Sequence, residues 1–209
     1  MASLKEIKAR IASVNNTLKI TSAMKMVASA KLHRVQNVAE GLAAYSERLA
    51  DIAAALTADP ELEVSSPLAE PHEARRRAVV VAVSSDGSLC GAFNANVIRL
   101  LHAEVESLRG QGFEAVEVWP VGEKIAQAAR KAGFDVCDDF RKLASKATSG
   151  DAAALAQRLM DRYEAGGIDR AVLVYTHFHS MGHQEPRQEV FLPADFSDLH
   201  GAAGAASEH

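Results

Sequence analysis

Two short stretches of this sequence carry side chains that could do chemistry. The first, SSDGSLCGAFN (84–94), has a cysteine among glycines at a predicted strand-to-helix junction, where α/β domains bind phosphate groups. It matches neither the G-x-G-x-x-G dinucleotide pattern nor a P-loop, and a G-x-S-x-G nucleophile elbow fails because Leu89 stands at the serine position, with Cys90 before the final glycine. A thiol near a helix N-terminus can be reactive. The weak motif matches nevertheless favour a structural turn.

The second stretch contains three histidines: His177, His179 and His183. The first two would share one face of a predicted strand, with the third beyond a turn. No cysteine or carboxylate stands at a spacing familiar from zinc sites, so we predict histidines that face solvent, with no metal and no cofactor. No acid pair and no Ser/His/Asp arrangement stands out either. The sequence therefore predicts no catalytic residues.

Both stretches belong to a region with an α/β pattern, residues 78–196. A short edge strand is predicted within DVCDDF, and Asp151 stands near the predicted start of the last helix. The order of elements predicts a Rossmann-like α/β domain with a mainly parallel sheet and a final hairpin around residues 181–183. The predicted strands are 78–85, 115–122, 170–180 and 184–193, and the predicted helices are 94–109, 123–132 and 151–166.

The chain before this domain has a different character. From Ser3 to Thr57 it contains no proline and a single glycine, and its apolar or small residues recur in alternating steps of four and three. A sustained repeat of this kind is typical of a left-handed coiled coil. We therefore predict a coiled-coil helix over residues 1–57, followed by a linker over 58–77. Because such a helix cannot bury its apolar seam alone, a second long helix is required, and this chain does not supply it.

The charge is distributed unevenly along the chain. Residues 1–36 contain seven Lys or Arg and one acid, whereas the whole chain carries a net charge of −4. A basic segment of this kind indicates an acidic partner, which could be nucleic acid, anionic lipid or an acidic protein surface. No apolar run reaches the length of a membrane span, and no signal-peptide pattern begins the chain. Two cysteines fit a reducing cytoplasm better than a disulfide framework.

The residues of this basic segment resemble a known family. SLKEIKARIASVNNTLKITSAMKMVASAKLHRVQ (3–36) closely resembles the N-terminal helix of the gamma subunit of F-type ATP synthases, above all in the pattern K-I-T-x-A-M-K-M-V-A-x-A-K-L. SDGSLCGAFN (85–94) is similar to the family's S-D-R-G-L-C-G-x-F-N, with Gly87 and Ser88 where Arg and Gly are usual. Residues 206–209 resemble the opening of the family's C-terminal helix. We therefore expect a C-terminally truncated gamma subunit in which the tail, 197–209, starts a missing helix.

The resemblance implies a central-stalk rotor subunit of a proton-translocating ATP synthase. Such a subunit has no active site of its own, and it couples proton flow through the membrane ring to ATP synthesis on the alpha–beta ring. The implied partners are the alpha and beta subunits, the epsilon subunit and the ring of c subunits. Membrane association would occur only through the complex, on the cytoplasmic face of the bacterial inner membrane. The implied contacts are Lys8, Lys19, Met24, Lys25 and Lys31 toward the alpha–beta ring, and Phe191 and Asp195 toward the epsilon subunit and c-ring.

Two alternatives follow from the residues themselves. A basic coiled-coil protein that binds nucleic acid would need aromatic side chains for base stacking, and residues 1–44 contain no Phe, Tyr or Trp. An enzyme that uses the loop from Ser84 to Gly91 would bind ATP or NAD. Nucleotide binding by the α/β domain would distinguish this enzyme from a rotor subunit.

Overall fold

The computed structural model describes residues 3–58 and 66–195. The predicted tail, 197–209, and the first part of the predicted linker lie outside the described residues. The chain divides into two units, one containing a long helix and the other containing a sheet. Below we call them the helical unit and the α/β unit.

The helical unit contains α1, a 55-residue helix over Leu4–Ala58. At 1.5 Å per residue this helix is about 80 Å long. Ser3 and Glu6 cap its start reciprocally, because the Ser3 amide donates to Glu6 Oε2 at 3.0 Å and the Glu6 amide donates to Ser3 Oγ at 3.4 Å. The helix Leu4–Ala58 confirms the predicted long N-terminal helix, while its pairing in a coiled coil stays a prediction. Within the described residues, no helix combines the length and apolarity that a membrane span requires.

The α/β unit is built around one five-stranded sheet with the order β3-β2-β1-β4-β5. The pairs β1–β2, β1–β4 and β2–β3 are parallel, and β4–β5 is antiparallel. The predicted mainly parallel sheet with a final hairpin is therefore confirmed. Its strands are β1 Arg77–Val83, β2 Ala115–Val121, β3 Asp135–Val136, β4 Arg170–Phe178 and β5 Gln184–Leu192. Its helices are α2 Phe93–Gly110, α3 Glu123–Lys131, α4 Leu143–Lys146 and α5 Ser149–Glu164.

Several boundaries differ from the sequence-based expectation. The short α4 and a 3-10 turn at Asp138–Phe140 were not predicted, since a turn of helix leaves no periodic pattern. The predicted helix at 151–166 begins at Ser149, with Thr148 as its N-cap. Asp151 is the third helical residue and completes a capping box, because its carboxylate accepts a hydrogen bond from the Thr148 amide at 3.0 Å.

The core of the α/β unit lies on both faces of the sheet. Alternate residues of β1 point to opposite faces, so Val80 packs with residues of α2 and α3, whereas Val79 packs with residues of α5. Residues 78–82 of β1 are all buried, as expected for the central strand of a sheet covered by helices. These five buried residues form the continuous apolar run AVVVA in the sequence.

Part of the segment predicted as a linker packs against the α/β unit. Leu68 carbonyl accepts a hydrogen bond from the Ala194 amide at 2.7 Å, and the Tyr163 hydroxyl donates to the Glu70 carbonyl at 2.7 Å. The His72 ring stacks on Tyr163 with centroids 4.2 Å apart. These contacts join residues 66–76 to α5 and to the end of β5.

Candidate partner-binding surface

Apolar side chains of the α1 seam are exposed over most of residues 7–49, although Leu32 is half-buried. Ile7, Ile11, Val14 and Leu18, which follow the repeat of 3.5 residues, are 46–66% exposed. Burial of one such side chain is worth about 1.5–3 kcal/mol. An apolar surface of this extent marks a site of interaction with another chain segment or another protein.

Basic side chains surround α1 rather than lining one side of it. At 100° per residue, Lys8 and Lys19 project in nearly the same direction, while Lys25 and Lys31 project about 120° to either side of Lys19. All four side chains are exposed, and Met24 beside them is 52% exposed. Within residues 3–58 and 66–195, no ion pair engages these lysines. The positive charge is thus available to partners on several sides of the helix.

Small side chains narrow α1 in the same region. Ala23, Ala28, Ser29 and Ala30 stand between the lysines, and Ser22, Ser29 and Ala30 form a shallow hollow that Lys25, Met26 and His33 border. Small residues let another backbone approach closely, because helix separation depends on the side chains at the contact. This part of α1 therefore suits close packing against a partner.

The hydroxyls near this hollow are used within the helix. Thr17 Oγ1 donates to the Ser13 carbonyl at 3.0 Å, and Thr21 Oγ1 donates to the Thr17 carbonyl at 2.9 Å. These two hydroxyls therefore need no hydrogen-bond partner from outside the helix.

The predicted contacts at the other end of the chain are only partly exposed. Phe191 is half-buried and packs against the core beside α5, while Asp195 is exposed. The neighbouring Val190 pairs with Val172 of β4 and is 52% exposed, while Phe191 is the extra residue of a β-bulge and packs, like Leu192, against the core. The sequence-based prediction did not include Val190, because the sequence of an edge strand does not reveal which of its side chains are covered by other elements.

The loop from Ser84 to Asn94 is held by its own hydrogen bonds. Asn94 Oδ1 accepts from the Ser85 amide at 3.1 Å, and Asn94 Nδ2 donates to the Gly87 carbonyl at 2.9 Å and to Cys90 Sγ at 3.2 Å. The polar groups that would contact a ligand therefore serve the turn. This geometry favours the structural interpretation of the motif.

The N-terminus of α3, beside this loop, already has an anionic cap. Asp86 Oδ1 accepts a hydrogen bond from the Glu123 amide at 2.9 Å, in the position where a helix N-terminus would bind a phosphate oxygen. Ser84 Oγ accepts from the Ile125 amide at 3.0 Å. A carboxylate in this position repels a phosphate, so the geometry disfavours nucleotide binding at this helix.

The three histidines lie on the hairpin of β4 and β5, with a carboxylate among them. His177 faces Glu185 across the two strands, and His179 and His183 lie at the end of the hairpin. The ligand atoms of His179, His183 and Glu185 all lie within 4.8 Å of one another. The sequence has no carboxylate at a spacing familiar from zinc sites, but the hairpin register brings Glu185 beside His179 and His183. The pattern H-x3-H-x-E around a predicted turn could have revealed it.

Comparison with known proteins gives one consistent family. A family model described as ATP synthase matches residues 3–208. The ATP synthase gamma chain of Phocaeicola vulgatus is 48% identical over 198 residues, covering 94% of this chain and 68% of that protein. The gamma chain of Parabacteroides distasonis is 40% identical over 205 residues, covering 98% and 70%. The gamma chain of Paracoccus denitrificans is 37% identical over 211 residues, covering 99% and 71%.

The chain spans about two thirds of the length of these relatives. Among solved structures, a chain from the central stalk and c-ring of the Tetrahymena thermophila mitochondrial ATP synthase aligns with 21% identity and a TM-score of 0.45, covering 77% of this chain and 74% of that one.

Proposed function

Since this chain belongs to the ATP synthase gamma-chain family, it is a non-catalytic rotor subunit of the F1 sector, and we propose that α1 is the helix through which it transmits torque. In this role α1 would turn inside a ring of alpha and beta subunits. The complex would couple proton flow through its membrane ring to ATP synthesis on the alpha–beta ring, on the cytoplasmic face of the bacterial inner membrane.

The observation that carries this proposal is the combination of length, exposed seam and encircling charge on α1. A helix of 55 residues with Ile7, Ile11, Val14 and Leu18 exposed supports pairing with a second long helix. Lysines that project in three directions suit a helix that meets acidic groups on several sides as it rotates. A helix that docked on a single flat partner would concentrate its charge on one face.

We propose that Lys8, Lys19, Met24, Lys25 and Lys31 contact the alpha–beta ring. Lys25 is the strongest candidate because it interrupts the apolar seam, a position where a helix normally has an apolar residue. A charged side chain at a seam lowers the stability of helix pairing, so its presence supports a role in contacts with a partner.

We propose a second contact region at the end of β5, toward the epsilon subunit and the c-ring. Asp195 supplies an exposed carboxylate there, and Val190 supplies an outward apolar side chain in place of the half-buried Phe191. Phe191 would then support the region from beneath by packing on the core.

The rotor role can be tested by reversing one charge on α1. We expect Lys25→Glu, introduced into a gamma chain that contains this sequence and assembles into the complex, to change the coupling ratio. The assembled complex should pump fewer protons for each ATP that it hydrolyses. Its physical basis is that close charge pairs at interfaces contribute about 1.5–7 kcal/mol, and the reversal turns attraction into repulsion. The measurement is proton uptake by inverted vesicles, normalised to the rate of hydrolysis.

Lys131→Glu is the matched control, because it makes the same charge change on the exposed surface of α3. We expect this variant to keep the original ratio. An unchanged ratio for Lys25→Glu in a fully assembled complex would contradict the proposed role of α1.

A further inference from the structure

The tip of the β4–β5 hairpin brings together three side chains that ligate metals elsewhere. His179 Nε2 lies 3.3 Å from Glu185 Oε2, and the His179 and His183 rings lie with centroids 4.7 Å apart. All three residues are exposed. Two ligand atoms bound at about 2.0–2.2 Å to one tetrahedral zinc ion are themselves about 3.4 Å apart. The separation of His179 and Glu185 already matches that requirement.

The backbone places the three side chains on one face of the hairpin. His177 pairs with Glu185 in the antiparallel register, and residues two apart on a strand share a face, so His179 lies on the same side as Glu185. Beyond the paired residues, the His179 amide donates to the His183 carbonyl at 3.2 Å and the His183 amide donates to the Ser180 carbonyl at 3.2 Å. These hydrogen bonds close the turn, so the two imidazoles are held near each other from opposite strands.

The three side chains offer the types of ligand atom that a borderline transition metal binds. Neutral imidazole nitrogen and carboxylate oxygen suit Zn²⁺ and its neighbours, whereas Mg²⁺ and Ca²⁺ prefer oxygen ligands only. Two His and one Glu leave a fourth tetrahedral position for water, as in zinc sites with three protein ligands. The charges nearby are Glu185 and Glu189 with Arg187 between them; Arg187 Nε lies 3.7 Å from Glu185 Oε2.

We propose that His179, His183 and Glu185 bind one divalent transition-metal ion of the zinc class at the tip of this hairpin. The site lies in the α/β unit, uses none of the residues assigned to torque transmission, and does not depend on the proposed rotor function. A bound ion would link the two strands beyond their last paired residues and would fix the orientation of both imidazoles.

Direct titration with zinc tests this site. The 209-residue chain, purified without a polyhistidine tag and kept reduced, is titrated with ZnCl₂ in competition with a chromogenic chelator. We expect one ion to bind per chain in the micromolar range. Loss of a metal ligand should weaken binding at least as much as loss of an outer-shell partner does, which is about 10–100-fold. We expect that loss for His183→Ala and for Glu185→Gln, the second of which preserves side-chain size.

Two controls separate this site from other zinc-binding groups of the chain. His33→Ala removes an exposed histidine of α1, and Cys90→Ser removes a thiol, so we expect both variants to bind zinc as the original chain does. The substituted residues of the hairpin are exposed, so their loss leaves the core intact. Binding that survives in His183→Ala and in Glu185→Gln would overturn the proposal, as would a stoichiometry that falls by one ion in Cys90→Ser.

Discussion

Asp169 connects three segments of the α/β unit through one buried carboxylate. Its oxygens accept hydrogen bonds from the Arg76 amide at 2.9 Å, the Arg77 amide at 3.0 Å and His72 Nδ1 at 3.2 Å. Burial raises the pKa of this carboxyl, but the hydrogen bonds from Arg77, Arg76 and His72 oppose it and leave the pKa below its ordinary value. The folded state therefore favours the ionised form of Asp169.

We expect Asp169→Asn to lower the free energy of unfolding by about 1–3 kcal/mol, since it weakens part-buried hydrogen bonds from the Arg76 and Arg77 amides. Urea denaturation followed by the fluorescence of Trp119 measures this effect, because Trp119 is the single tryptophan and is fully buried in the sheet. Because the pKa of Asp169 is lowered on folding, its stabilising effect is present above the unfolded pKa and is lost as pH falls through the folded pKa. The difference between the two chains should therefore shrink as pH falls below the ordinary aspartate pKa of about 4.

Asp161→Asn serves as the control for this measurement, because Asp161 is exposed on α5. A surface substitution of this kind changes stability by less than about 0.5 kcal/mol. If Asp169→Asn were equally mild, or if its effect grew toward pH 3, the assigned role of Asp169 would be wrong.

At the scale of elements, the junction between β2 and α3 leaves less space for a Cβ atom than any other glycine position in the described residues. Gly122 has a φ of +114°, and a Cβ at this position would lie 2.3 Å from the Ser84 carbonyl oxygen. The close approach arises because the Ser84 amide donates to the Val121 carbonyl at 2.8 Å, which draws the end of β1 against the end of β2. Only glycine satisfies both the dihedral angle and the contact.

We expect Gly122→Ala to destabilise the α/β unit by more than about 2 kcal/mol, because an unfavourable backbone conformation costs about 1–3 kcal/mol and the steric contact adds to it. Thermal unfolding monitored by Trp119 fluorescence provides the measurement. Gly87→Ala is the control in the adjacent loop, since Gly87 has open space around its Cα and no positive φ. Equal melting temperatures for the two variants would show that the junction relaxes to accept a side chain.

At the scale of the whole chain, the helical unit is the part that depends on a partner. Its apolar seam is exposed, whereas the α/β unit buries a core on both faces of its sheet. An isolated helix gains little stability from intrinsic propensity, and most helical stability in proteins comes from packing. The two units should therefore differ in stability when the chain is studied alone.

We expect the purified 209-residue chain to self-associate through α1 or to fray there, while the α/β unit stays folded. Analytical ultracentrifugation over a range of concentrations measures association, and hydrogen exchange compares amides of α1 with those of β1. The double substitution Ile11→Glu and Leu18→Glu should abolish association and leave protection in β1 unchanged, since it places charges in the seam. A monomer with a fully protected α1 would mean that this helix is stable without a partner.

The sequence by itself determined the features that depend on neighbouring residues. The repeat of 3.5 residues across Ser3–Thr57 predicted a long helix that needs a partner, and the apolar runs at 78–85 and 115–122 predicted buried strands. The structure has α1 over Leu4–Ala58 and strands at Arg77–Val83 and Ala115–Val121. These features could be predicted because helix and strand periodicities are local properties. The residue pattern at 3–36 likewise identified the family, because it is a contiguous motif.

Only the tertiary structure decided which distant residues meet. Glu185 joins His179 and His183 because the hairpin register places them on one face, and Asp169 reaches Arg76 and Arg77 because β4 lies beside β1 in the sheet. Val190 is exposed while Phe191 and Leu192 both pack against the core, because a β-bulge at Phe191 breaks the alternation of β5. The positions of these contacts depend on strand order, register and the placement of covering helices. Those quantities arise from packing over the whole unit, so a local pattern such as H-x3-H-x-E can suggest a cluster but does not fix its geometry.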